Sequence, residues 1–269
     1  EVVIIASVLD ITPVLPQGWT RAASNTDYAF RQRYEGDDQI LEVVNLHDLA
    51  AGEPDAVRQL ARVYTGKNSY TRISGYYDVA PDGRHVIYGF KNWMHPSGGD
   101  YRIYDYFTGQ QVTGGSGDLL NIGFENGNAG IEVRSPYVYG LADTQVIDLN
   151  DYVIIDEYSR VLPGQEDRYH MDEDTPLFIA AYRAANSVYE ARVYDASAGS
   201  DRLRYRDTIV VGGDSGGSFT YVDAVTAANG RQIVVLSFDG DHYNKTILRD
   251  ISSGEEFSFD AAVTSMARD

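Results

Sequence analysis

The feature that most constrains this chain is a strand end that recurs: a β-branched or aromatic run closes on an Asp, and a Gly follows four residues later. It stands at Asp48–Gly52, Asp105–Gly109, Asp195–Gly199 and Asp250–Gly254. A weakened copy, Gln145 to Asn150, keeps the strand and Asp148 but has no glycine. The five acids are therefore spaced by 57, 43, 47 and 55 residues. A step of roughly 40 to 50 residues is that of a four-stranded propeller blade.

The stretch from Tyr77 to Gly115 shows the repeating unit most fully. A strand ends near Asp78, Pro81-Asp82-Gly83 forms a turn, His85 to Phe90 is an apolar run, and Tyr101 to Tyr106 closes in Thr108-Gly109. Proline presets φ at such a turn and glycine supplies the positive φ that reverses the chain. The same order recurs at Val222-Asp223, Asn229-Gly230 and Gln232 to Phe238, and again at Arg168 to Asp174 followed by Leu177 to Tyr182. The middle unit, Leu119 to Phe124 with Tyr137 to Leu141, is the least regular. These readings predict one all-β domain over residues 1–269, a propeller of five blades with four antiparallel strands each, six blades being the alternative. Glu53 to Tyr64 fits helix and strand equally well. Val2 to Leu9 is expected to pair into the C-terminal blade, because an open end would expose a sheet edge.

The net charge of −18, from 40 acidic and 22 basic residues, repels phosphate backbones and so argues against nucleic acid as a partner. No run approaches the roughly 18 apolar residues that a membrane helix needs. Without cysteine there are no disulfides and no thiolate metal sites. Glu1 is not an initiator methionine, from which a processed or trimmed N-terminus is expected.

Ala80-Pro81-Asp82-Gly83, the strand after it, and Asp100 to Gly109 (DYRIYDYFTG) resemble the repeat of TolB-like β-propellers. In that family a Pro-Asp-Gly turn precedes a strand, and an Asp-initiated strand ends in Asp and Thr-Gly. The other units keep the Asp and Gly and lose the Pro-Asp-Gly turn. The resemblance implies a propeller in an extracytoplasmic setting. It implies no activity, since propellers host binding proteins, hydrolases and interaction platforms alike.

Candidate ligand-binding residues are Asp78, Trp93, His170, Asp172, Asp174 and Asp223. Strand alternation puts His170, Asp172 and Asp174 on one face. On an inner strand lining a propeller channel, three such donors suit either a divalent cation or a cationic ligand group, the alternative being a solvated acidic strand end. Trp93 lies in a loop, where an aromatic ring suits a sugar or peptide. With no complete catalytic constellation, the expected function is a non-catalytic module binding a peptide, protein or carbohydrate at the channel mouth. The alternative is a carbohydrate hydrolase drawing its acid and base from Asp78, Asp172, Asp174 and Asp223. A third reading comes from Gly213-Asp214-Ser215-Gly216-Gly217-Ser218, which resembles the nucleophile loop of chymotrypsin-like proteases. Neither His47 nor His85 has the flanks that family requires. Asp239-Gly240-Asp241-His242 reads as a turn rather than a calcium loop, and Asn244-Lys245-Thr246 is a glycosylation sequon.

Overall fold

A computed structural model describes residues 13–94, 98–165, 169–171, 175–184, 188–213, 216–241 and 244–265. Among them are five sheets of four antiparallel strands, following one another along the chain as propeller blades. Blade one comprises β1 Thr20–Arg21, β2 Tyr28–Glu35, β3 Asp38–Asn45 and β4 Val57–Tyr64, with helix α1 Leu46–Ala51 between the last two. Blade two is β5 Thr71–Val79, β6 His85–Asn92, β7 Asp100–Asp105 and β8 Gln110–Ser116. Blade three is β9 Leu119–Glu125, β10 Asn128–Arg134, β11 Leu141–Asp148 and β12 Ile154–Val161. Blade four is β13 His170–Met171, β14 Leu177–Arg183, β15 Val188–Asp195 and β16 Arg204–Gly213. Blade five is β17 Ser218–Thr226, β18 Gln232–Asp239, β19 Lys245–Asp250 and β20 Glu256–Phe259.

Every blade is an up-and-down meander, which short turns make and long crossovers would not. Strands β3, β6 and β18 are nearly continuous apolar runs because both of their faces are buried. The chain forms two compact units, residues 1–131 with 147–153, and 132–146 with 154–269. In the first, Phe30, Leu41 and Val43 of blade one pack with Val86, Tyr88 and Phe90 of blade two. In the second, Ile179 and Val193 of blade four pack with Val234, Leu236 and Phe238 of blade five.

The recurring carboxylate has a local cause. Asp105, Asp148, Asp195 and Asp250 are each the last residue of their blade's third strand. Each accepts a hydrogen bond from the amide two residues on, at 2.9, 2.8, 2.8 and 2.8 Å respectively. Such an Asx turn replaces the ladder partner that the chain loses on leaving the sheet. Asp105 and Asp250 also accept from the amide three residues on, and pair with Arg84 and Arg231.

Blade one corrects the sequence alignment by three residues. Asn45, not Asp48, ends β3 and accepts from the amides of His47 and Asp48. Asp48 instead lies inside α1, whose cap is Asn45 and whose end is the left-handed Gly52. Two further expectations are settled here. Glu53 to Tyr64 yields a strand from Val57 onward, with Leu60 and Ala61 buried against the blade. Tyr137 to Gly140 forms no strand, because Ser135 turns the chain there by accepting from the amides of Tyr137 and Val138, and β11 begins at Leu141. Val2 to Leu9 lies outside the described residues.

Blade five carries a cross-strand row of hydroxyls. Thr246 Oγ1 donates to the carbonyl of Ala261 at 2.6 Å, Ser237 Oγ accepts from the amide of Val263 at 2.7 Å, and Thr220 Oγ1 donates to the carbonyl of Val263 at 3.0 Å. Residues 261–263 are thereby laid across β19, β18 and β17.

The turn carboxylates predict an acid transition. The Asp195 carboxyl is lowered to about 2 by the hydroxyl and amide of Ser197, with Arg206 adding to them. For Asp250, desolvation opposes ionisation, but Arg231 and the amides of Ser252 and Ser253 outweigh it and also bring it to about 2. A folded value below the unfolded one, about 3.9 for Asp, gives stability that is present above the unfolded value and lost as pH falls through the folded one. Melting temperature at constant ionic strength should therefore drop between about pH 4 and pH 2, and the drop should be shallower in Asp195→Asn. A melting temperature level across that window would rule this out.

Candidate functional site

The end of blade two where β5 begins and β6 finishes is aromatic and open to solvent. Thr71 pairs with Asn92, so the next residues outward, Tyr70 and Trp93, face each other across the strand ends. The Trp93 amide donates to the carbonyl of Tyr70 at 3.1 Å. Trp93 is 69% exposed and Tyr70 48%. The Lys91 ammonium stands 4.9 Å from the centre of the Trp93 ring, a cation–π contact that orients the indole. The approach to Tyr70 is held by Arg72, whose guanidinium donates to the carbonyls of Thr65, Ser69 and Thr71. The two rings thus stand on a prepared backbone, which lowers the ordering cost of binding.

Asp78 and Asp223 occupy like places, near the ends of β5 and β17. Both are buried, 5% and 3% exposed, and each folds back to accept from the amide that follows, Val79 or Ala224, at 2.8 Å. Asp78 further accepts from the amide of Ser24 at 3.1 and 3.2 Å and from its hydroxyl at 2.6 Å, so that it ties β5 to the start of blade one. Asp223 accepts from the Tyr221 hydroxyl, and its Oδ1 lies 3.2 Å from His170 Nε2. That nitrogen is buried and lacks the alignment of a hydrogen bond. These carboxylates are joints between neighbouring first strands rather than groups presented to solvent.

Of the six residues singled out in sequence, the structure brings His170 and Asp223 together within the second unit. Asp78 and Trp93 belong to the first unit and do not share a site, one being a buried joint and the other an exposed strand end. Asp172 and Asp174 lie outside the described residues, as do Asp214 and Ser215 of the protease-like string. Among the described residues no group of three or more His, Asp or Glu side chains is placed to hold a metal ion.

One arrangement was not anticipated. His85, 4% exposed, opens β6; its Nδ1 lies 2.6 Å from Asp82 Oδ2 and its Nε2 lies 3.1 Å from the Tyr152 hydroxyl. Asp82 also accepts from the amides of Arg84 at 2.7 Å and His85 at 3.1 Å. Burial raises its carboxyl, but the Arg84 amide and the His85 ring and amide outweigh that and keep it below the usual range. The spacing Asp82-x-x-His85 was visible in the Pro-Asp-Gly turn, whereas Tyr152 is 67 residues further on. Beside Asp82 a cleft of about 180 Å³ opens, bordered by Ala80, Pro81, Phe124, Asn128 and Leu149.

No protein-family model matches the chain, and no curated protein does. Among solved structures, the chain is similar to the β-propeller domain of the Trilobed protease from Pyrococcus furiosus, at 10% identity and a TM-score of 0.36 over 88% of this chain and 70% of that one. It is also similar to the Dos1 propeller, at 10% identity and 0.36, covering 91% of this chain and 62% of that one. A prolyl endopeptidase structure aligns at 11% identity and 0.37 over 93% of this chain, which spans half of that one.

Proposed function

We propose that the chain is a non-catalytic binding module that recognises a carbohydrate, peptide or protein partner with the aromatic end of blade two. The observation that carries this reading is the exposed Trp93 ring beside Lys91 and Tyr70, on a backbone already tied down by Arg72. An aromatic face offers area at little entropic cost, and the ammonium and phenol offer the few polar contacts that set orientation. The likeness of Ala80 to Gly109 to the TolB-like repeat supports an extracytoplasmic setting. A hydrolase reading is weakened by Asp78 and Asp223, whose oxygens are occupied by the amides and hydroxyls of the fold.

The test is a glycan and peptide array on the purified protein, followed by titration of any hit against Trp93→Ala. Losing one exposed ring should weaken binding about tenfold, or ~1.4 kcal/mol, with the melting temperature unchanged. Equal affinity in the variant would place recognition elsewhere, and an empty array would count against the binding module itself.

A further inference from the structure

Among the described residues only three other than glycine have a left-handed backbone: Asn68, Asn126 and Tyr152. Asparagine tolerates that region, and a bulky aromatic residue there is an outlier. In blades two, four and five the place four residues beyond the strand-ending carboxylate is glycine, with φ of 72° at Gly109, 90° at Gly199 and 74° at Gly254. Blade three puts Tyr152 there, at 63°, and its amide still donates to the Asp148 carbonyl at 2.8 Å. The turn is kept, and only the side chain is gained. Strain of this kind persists where the surroundings hold the residue, and it gathers at working sites.

What the side chain gains is His85. An ionised Asp82 can only accept, so the proton of His85 lies on Nδ1; in the neutral ring Nε2 is then bare and accepts from the Tyr152 hydroxyl. Carboxylate, imidazole and hydroxyl stand in the order by which a base activates a nucleophile. Tyr152 is half-buried, and Arg84, paired with Asp105, lies within its electrostatic reach.

We infer that Tyr152 is an activated phenol, a covalent modification site for acyl or sulfonyl electrophiles, built from residues that the aromatic end of blade two does not use. In the step, the phenol proton passes to His85 Nε2 while the oxygen lone pair forms a bond to the acyl carbon or sulfonyl sulfur. The leaving group departs with its bonding pair and takes up the proton from Nε2, and Tyr152 is left as an aryl ester.

The experiment treats the intact protein with benzenesulfonyl fluoride and follows the adduct on each tyrosine by peptide mass spectrometry. Tyr152 should react about 100-fold faster than the exposed Tyr34 and Tyr139, the order of gain from a positioned base. Asp82→Asn keeps an oxygen for the amides of Arg84 and His85 but presents an NH2 to Nδ1. The ring must then carry its proton on Nε2 and can no longer accept from the phenol. In that variant the Tyr152 rate should fall to that of Tyr34, and Tyr152→Phe should abolish the adduct. A wild-type Tyr152 no faster than Tyr34, which needs no variant to observe, would overturn the inference, as would an Asp82→Asn rate equal to wild type.

Discussion

Truncating Phe238 to alanine is expected to destabilise the fold by about 4 kcal/mol. The side chain is fully buried on β18, in the middle of blade five. Its ring centroid is 4.5 Å from that of Tyr189 in blade four and 6.0 Å from that of Phe219 on β17. Gly217 leaves room for the ring, since a Cβ at that residue would collide with it. Removing the ring therefore forfeits its transfer free energy and leaves a cavity walled by strands that cannot close on it. Urea unfolding should show a lower midpoint at unchanged slope. Phe238→Leu, which refills most of the space, should cost about 1.5 kcal/mol. A loss below about 1 kcal/mol for the alanine variant would mean that the two blades do not share the packed core described.

Asp78→Ala is expected to cost about 2 kcal/mol. Its buried carboxylate satisfies the buried amide of Val79 and, on its outer side, the amide and hydroxyl of the exposed Ser24. Alanine would leave the buried Val79 amide without this acceptor, and an unmet buried donor costs about 1 to 3 kcal/mol, whereas the donors of the exposed Ser24 can turn to water. Asp78→Asn should retain part of the stability, because one oxygen can still accept. Both are read from denaturant midpoints, with binding to any array hit measured in parallel. Unchanged affinity with lost stability is expected. The opposite pattern, full stability with lost binding, would return Asp78 to the ligand site that sequence reasoning gave it.

The blade architecture was legible in the sequence because its cause is local. A carboxylate that ends a strand and accepts from the next amides needs only residues close in the chain, so it repeats visibly at Asp105, Asp148, Asp195 and Asp250. The same locality explains the misalignment in blade one, where Asn45 performs the turn and the nearby Asp48 and Gly52 imitate the spacing. Burial at the ends of first strands was harder to read. Asp78 and Asp223 look like presented acids in the alternating pattern, and the polar partners that engage them are distant in the chain: Ser24, 54 residues away, in one case and His170 in the other. His85 with Tyr152 was hidden for the same reason, compounded by a missing glycine that reads as decay of the repeat when it is a substitution with a contact of its own. Trp93 was legible because an aromatic residue beyond a strand end has few neighbours to cover it.

The hydroxyl row on blade five grips only main chain: Thr220, Ser237 and Thr246 touch carbonyls and an amide of residues 261–263, and no side chain of that segment takes part in these bonds. Such a grip is indifferent to which amino acids pass through it, provided the passing backbone keeps its path and its amide at Val263. Mutational drift along 261–263 is therefore close to free, apart from proline at 263, while the three short hydroxyl residues beneath are held to a narrow choice. Restraint on change is thus set by the grip rather than by side-chain identity along the strap: the gripped segment can vary, and the small hydroxyl residues that hold it cannot.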